Sequence, residues 1–234
     1  MASATLRVTE IFFSLQGETS RVGLPTVFVR LTGCPLRCRW CDTSYSFQGG
    51  ANLALGEILE HVGRWPTRHV TVTGGEPLAQ KSCLALLTAL CDAGYDVSLE
   101  TSGALDISAV DPRVSRIVDI KPPGSGEVER NRWENLAALT ARDEIKLVLA
   151  GRADYDWAKR VIAEHALGER CPVLLSPVHG ELEARDLAHW MLEDGVAARL
   201  QIQLHKALWG VEAGRWRRPW FSSLAGLTPP PCWP

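Results

Sequence analysis

The chain has no surplus of positive charge. Lys and Arg number 25 against 27 Asp and Glu, a formal net charge of −2. The basic footprint that neutralises a phosphate backbone is missing, so nucleic acid is not an expected partner. Long apolar runs are missing as well. No stretch approaches the roughly 20 apolar residues that span a bilayer, so no membrane partner is expected. The first residues, MASATLRVTEIF, lack a basic stretch leading into an apolar one, and no secretory leader is expected. Cytoplasm is the expected compartment, where thiols stay reduced. The last absence is the most informative. Cys34, Cys38 and Cys41 lie within eight residues, and no fourth cysteine stands near them. A closed tetrahedral metal site takes four ligands and a disulfide takes two. Seven cysteines, an odd number, argue for ligands or free thiols over a disulfide framework.

The composition that remains is ordinary for a globular protein, with 46% apolar and 22% charged residues. A chain of 234 residues can bury one sizeable core. Strand patterns (TLRVTEIFFS, TVFVRLTG, HVTVTGGEP, YDVSLETSG, VSRIVDIKPPGSG, DEIKLVLAG, CPVLLSPV) alternate with helical spacings (LALGEILEHVGRW, LAQKSCLALLTALCDAG, ENLAALTA, DYDWAKRVIAEHAL, LEARDLAHWMLEDG). ARLQIQLHKAL is read as the closing strand, with His205 and Lys206 at its end. DTSYSFQGGAN is read as loop. Repeated alternation predicts a parallel sheet with right-handed crossovers, as a barrel, a partial barrel or a doubly wound sheet. Ligands then bind beyond the strands' carboxyl ends. The segments GCPLRCRWC, TGGEP, ETSG, DIKPPG and SPVHG each follow a predicted strand, so five loops are expected on one face. From Val211 the sequence changes. This stretch holds three of the nine tryptophans and five of the fourteen prolines. The expected division is one domain over 1–215 and a Trp/Pro-rich tail over 216–234.

The spacing Cys-x3-Cys-x2-Cys supplies three soft sulfur ligands. A four-iron cluster normally takes four cysteines, so three would leave one iron open to a substrate or cofactor. A zinc site completed by a distant ligand is the competing reading, although the second cysteine pair typical of zinc sites is missing. In TGGEP, Gly74 and Gly75 permit close backbone approach, and Glu76 adds a carboxylate that could meet an ammonium group. The plain alternative is a tight strand-to-helix turn.

Together these motifs resemble the radical S-adenosylmethionine (SAM) enzymes, with Trp40 as the aromatic before the last cysteine. FSLQGE, GLPTVFVRLTGCPLRCRWCDT, VTGGEPL, ETSG and QLHK narrow the resemblance to the 7-carboxy-7-deazaguanine synthases, over about residues 6–215. The resemblance implies an incomplete, TIM-type α/β barrel of about six parallel strands with few helices. It implies a [4Fe-4S] cluster on Cys34, Cys38 and Cys41, bound SAM, and Mg2+ at Thr43. The implied reaction is a radical ring contraction of 6-carboxy-5,6,7,8-tetrahydropterin to 7-carboxy-7-deazaguanine, with loss of ammonia, in queuosine and deazapurine biosynthesis. Leu15, Gln16, Gly17, Glu18, Arg30, Thr73 and Glu100 match substrate-binding positions. Trp40, Cys41, Asp42, Gly75, Asp119, Ile120, Lys121, Ser176, Pro177, Val178 and His179 match SAM-binding positions. SPVH departs from the QPMD often found there. Without the resemblance, Thr43 reads as a loop or N-cap hydroxyl; the plain alternatives are a surface ion pair for Arg30, disfavoured for an arginine within an apolar strand, and a hydrogen-bonded strand residue for His205. A homodimer and an external flavodoxin-like or ferredoxin-like electron donor are also implied. The alternatives are a glycyl-radical activating enzyme, also a radical SAM protein, and a zinc-binding module without catalysis.

Overall fold

A computed structural model of the chain describes residues 4–210. The expected tail, 216–234, lies outside them. One nine-stranded sheet runs through the molecule in the order β3-β1-β2-β4-β5-β6-β7-β8-β9. Its strands are β1 (Thr5–Leu15), β2 (Pro25–Leu31), β3 (Ala51–Ala54), β4 (His69–Gly74), β5 (Asp96–Thr101), β6 (Ser115–Asp119), β7 (Glu144–Leu149), β8 (Val173–Pro177) and β9 (Arg199–Leu200). From β2 through β9 every neighbouring pair is parallel. β1 and β3 add an antiparallel edge. The α-helices are α1 (Leu55–Val62), α2 (Cys83–Asp92), α3 (Arg152–Glu164), α4 (Leu167–Arg170), α5 (Ala184–Asp194) and α6 (Leu204–Trp209). The result is the open, incomplete α/β barrel with a reduced helix set.

Strand alternation divides the two faces of the sheet. Val27, Val29 and Leu31 of β2, Val70 and Val72 of β4, and Val97 and Leu99 of β5 share a buried cluster with Ile58 and Val62 of α1 and Leu86, Leu87 and Leu90 of α2. Ile145, Leu147 and Leu149 of β7 and Val173 and Leu175 of β8 share a second cluster with Tyr155, Ala158 and Ile162 of α3 and Leu187 of α5. The intervening residues have the opposite parity and face the concave side. They are Arg30, Thr73, Glu100, Asp119 and Lys146, and all five line one cavity. A surface this polar inside a barrel stores no packing energy. It is a site in want of a ligand.

Three segments differ from the sequence reading. β3 straddles the end of the stretch read as loop and the first two residues of the one read as helix: its backbone bonds to the β1 edge, which no local pattern announces. Of ENLAALTA, only its first five residues are helical, as part of a 3-10 turn, Trp133–Ala138. In ARLQIQLHKAL only Arg199–Leu200 pair with β8, and Leu204–Trp209 is helical. Alternating Leu200 and Ile202 mimic a strand, yet both side chains are exposed and, among the described residues, no further strand extends the sheet beyond β9.

Candidate active site

The cavity holds about 360 Å³ at the carboxyl ends of the parallel strands, within the range of small-molecule sites. Loops after β2, β4, β5, β6 and β8 all reach it. Most residues expected there line it: Leu15, Gln16, Gly17, Glu18, Arg30, Cys34, Cys38, Trp40, Cys41, Asp42, Thr43, Thr73, Gly75, Glu100, Asp119, Lys121, Val178 and His179. Ile120, Ser176 and Pro177 do not. Ile120 packs into the second core cluster. Ser176 and Pro177 are buried, and the Ser176 hydroxyl has no hydrogen-bond partner among the described residues.

The cysteine loop is pinned against the glycine loop. Glu76 N–H donates to the Gly33 carbonyl at 2.8 Å, and Gly75 N–H to that of Leu31 at 3.3 Å. A Cβ on Gly75 would strike the Gly33 carbonyl and lie 3.0 Å from Cys34 Cβ, so only glycine allows this approach. Glu76 itself faces away from any ligand. It is fully buried and accepts bonds from Leu78 N–H (3.0 Å), Thr101 Oγ1 (2.9 Å) and Ser102 N–H (2.7 Å). The ammonium-binding role considered for this carboxylate gives way to a clip joining the β4 and β5 loops.

Cys34, Cys38 and Cys41 are free, half-buried thiols on the cavity wall. Leu36 N–H points to Cys34 Sγ at 3.4 Å. Burial pushes the Cys34 and Cys38 thiols above the usual value, while the Lys121 charge pulls them down. An all-sulfur donor set of three fits an iron–sulfur cluster with one iron left open. Among the described residues no three His, Cys, Asp or Glu gather around a single-ion position.

Arg30 is buried between the rings of Phe12 and Tyr45, with its guanidinium carbon 5.9 Å from each centroid. Its Nε donates to Glu10 Oε1 at 2.8 Å and its Nη1 to the Gly74 carbonyl at 3.3 Å. The ion pair foreseen as an alternative is therefore present, but it is buried and internal. Next along the row, Thr73 Oγ1 donates to Glu100 Oε2 at 2.9 Å, and Gln16 Nε2 to Glu100 Oε1 at 3.2 Å. Burial raises the Glu100 pKa, with Lys146 opposing. Thr43 Oγ1 stands 3.5 Å from the Gly74 carbonyl.

Two residues of the wall carry chemistry the sequence reading passed over. Lys146 Nζ, on a half-buried side chain, lies 2.7 Å from Glu18 Oε2. Gln203 Nε2 donates to the other Glu18 oxygen at 2.7 Å. The signal for Lys146 was available: a lysine inside the apolar run DEIKLVLAG, like the arginine inside TVFVRLTG. His205 packs on Gly17, whose added Cβ would lie 3.0 Å from its Cγ. It does so from α6, not from a strand end. Burial lowers its pKa.

Residues 28–164 match the Radical SAM superfamily. The 7-carboxy-7-deazaguanine synthase of Chlorobaculum tepidum is 47% identical over 90% of this chain and 97% of its own length. That of Koribacter versatilis is 42% identical over 88% and 98%. The chain belongs to the 7-carboxy-7-deazaguanine synthase family of radical SAM enzymes. The crystal structure of QueE from Escherichia coli superposes with a TM-score of 0.70 at 25% identity, over 86% of this chain and 95% of that one. Streptococcus suis SuiB, at 10% identity and a TM-score of 0.55, shares the fold alone. Membership brings a [4Fe-4S] cluster and SAM, and the three thiols beside the Gly75 loop are a donor set that fits them. The glycyl-radical activating and zinc-module readings are not favoured, because the matching relatives are synthases along nearly their whole length.

Proposed function

We propose that this cavity binds 6-carboxy-5,6,7,8-tetrahydropterin and converts it to 7-carboxy-7-deazaguanine with loss of ammonia. The observation that carries the substrate reading is the row Arg30–Thr73–Glu100 across β2, β4 and β5, in which Arg30 pairs in register with Thr73 and Thr73 bonds Glu100. A guanidinium at one end suits a planar carboxylate. Glu10 and the Gly74 carbonyl occupy two of its N–H groups and aim the rest of the fork. A carboxyl at the other end accepts hydrogen bonds from the amino edge of a pterin. Gln16 ties that edge to the Leu15–Glu18 strap, since Glu18 N–H donates to Gln16 Oε1 at 3.2 Å.

Bound at Cys34, Cys38 and Cys41, the cluster supplies the one-electron reduction of SAM that starts hydrogen abstraction. The residues of this chain bind, orient and screen. Trp40, Asp42, Gly75, Asp119, Lys121, Val178 and His179 hold SAM. Ile120, Ser176 and Pro177, away from the wall, serve through the backbone of the turns that carry Lys121 and Val178. Thr43 would give Mg2+ one protein oxygen, leaving the rest of the shell to substrate and water, the usual habit of that ion. One catalytic domain covers 1–215. An external flavodoxin-like or ferredoxin-like protein delivers the electron in the cytoplasm. The enzyme works as a homodimer, supported by the exposed Leu200, Ile202 and Leu208 on the β9–α6 edge.

An anaerobic assay with SAM, a reductant, Mg2+ and the carboxytetrahydropterin tests the reading. Deazaguanine should form together with reductive SAM cleavage, and Cys38→Ala should abolish both. A holoenzyme that cleaves SAM but never converts the pterin would overturn the substrate assignment.

A further inference from the structure

Lys146, which no step above uses, stands at the centre of a part-buried chain of charges. The chain runs Gln203 Nε2–Glu18 Oε1 at 2.7 Å, Glu18 Oε2–Lys146 Nζ at 2.7 Å, Lys146 Nζ–Asp119 Oδ2 at 3.6 Å and Asp119 Oδ2–Lys121 Nζ at 3.1 Å. It joins the strap after β1 to the turn after β6, and β7 supplies the hinge residue. Asp119 and Lys146 are partners in the β6–β7 register. Ile120 N–H also donates to the Lys146 carbonyl at 2.9 Å, so the turn cannot shift without Lys146 feeling it. The other oxygen, Asp119 Oδ1, is buried and has no partner among the described residues. A buried carboxylate oxygen left unpaired is costly, and although Asp119 lines the cavity, this oxygen itself is shielded from solvent.

The ammonium is shared among the carboxylates of three elements. Burial opposes its charge, but Glu18, Asp119 and Glu100 together hold its pKa well above the ordinary value. Lys146 is therefore a permanent cation that cannot act as a base. Its pull on Glu18 and its pull on Asp119 compete for one charge. A ligand donor that engages the Asp119 carboxylate at the cavity wall draws electron density from it and frees Lys146 to bind Glu18 more tightly, which firms the strap. Substrate on the strap has the converse effect on the turn.

We infer that Lys146 is a positioning residue that couples the two halves of the cavity, so that SAM on the Asp119 side and pterin on the Glu18 side bind each other's complex more tightly than the empty enzyme. The inference rests on the substrate and SAM sides assigned under Proposed function. Coupling of this kind is reciprocal, and typical values start near fivefold in affinity.

The test uses the cluster-loaded protein under anaerobic conditions without reductant, so that no turnover intervenes. Equilibrium dialysis measures pterin affinity with and without saturating SAM. In the wild type SAM should tighten pterin binding at least about fivefold. Lys146→Met should bring the factor to near one while each ligand still binds alone, and Lys146→Arg should restore part of it. Glu18→Gln, which keeps the size of the strap residue but removes its charge and one of its two acceptors, should reduce the factor without relying on the Met variant folding. Under reducing conditions Lys146→Met should cleave more SAM per product formed. A strut with only a structural role predicts otherwise: weaker binding of both ligands, or a lower melting temperature, with the coupling factor unchanged. That result overturns the inference. So does a wild-type factor of one. A wild type that binds no pterin at all would instead strike the substrate reading itself, so the two failures are distinct.

Discussion

Replacing Gly75 by Ala should disable the site while leaving the fold standing. The new Cβ would lie 2.6 Å from the Gly33 carbonyl carbon and 3.0 Å from Cys34 Cβ, and it would overlap the Gly33 oxygen. Carbon atoms settle about 3.5 Å apart, so the two loops must separate by roughly 1 Å. No flexible side chain can give way, because the obstacle is backbone. Overpacking of this kind costs about 1–3 kcal/mol, which a domain of this size survives. The displaced element carries Cys34, however, and a 1 Å misplacement of reacting groups costs on the order of 100-fold in rate. Anaerobic reconstitution should yield Gly75→Ala protein with a cooperative thermal transition, less bound SAM, and deazaguanine formation lower by about two orders of magnitude. Gly56→Ala is the matched control. Gly56 lies exposed in α1 with nothing within 4 Å of an added Cβ, and alanine there should be neutral or stabilising by about 0.5–1 kcal/mol. Wild-type SAM binding and turnover in Gly75→Ala would refute the packing argument.

Acid should weaken the fold through Glu18. Burial would raise its pKa, but Lys146 lowers it from 4.5 to about 2. A depressed carboxyl stabilises the fold above its unfolded value, and the contribution fades as pH falls from about 4.5 towards 2, by roughly 3 kcal/mol in all. Urea unfolding of the wild type and Glu18→Gln should show a flatter acid limb for the variant, and equal slopes would contradict the pairing. Glu76→Ala strips the acceptor from four buried or part-buried donors, Leu78 N–H, Thr101 Oγ1, Ser102 N–H and Ser102 Oγ, and should destabilise by about 3 kcal/mol, visible as a lower melting temperature; an unchanged transition would discard the clip between the β4 and β5 loops. Thiol alkylation of the cluster-free chain should spare Cys83, which burial pushes up to about 12, and Cys171, pushed up to about 11, since only the thiolate reacts. Peptide mapping that found Cys83 modified as fast as Cys34 would count against the burial assigned to it.

Where sequence reading succeeded, the information was local. Three cysteines on one short loop declare a ligand set before any fold is known. Valines alternating in TVFVRLTG and HVTVTGGEP declare strands, and Arg30 inside such a run declares a charge turned inward. Where it failed, the answer lay with a distant partner. β3 is a strand only because the β1 edge is beside it. QIQLHKAL alternates like a strand, yet among the described residues its ladder with β8 ends at Leu200, with one further bond from Gln201 N–H to the Leu175 carbonyl, and the chain then turns back as α6 and brings His205 onto Gly17. Glu76 offered a ligand group in sequence, and Thr101 and Ser102 claimed it in space.

The sequence by itself determined the chemistry of this protein: three thiolates with a vacancy, glycines beside them, and strands of the right parity to turn polar residues one way. Parity says which residues share a face but not which of them touch. That Lys146 meets Glu18 across 128 positions of chain, or that Gly75 meets Gly33, follows from the order in which the strands pair. Pairing order is a non-local property of the folded sheet, and only the tertiary structure decided it.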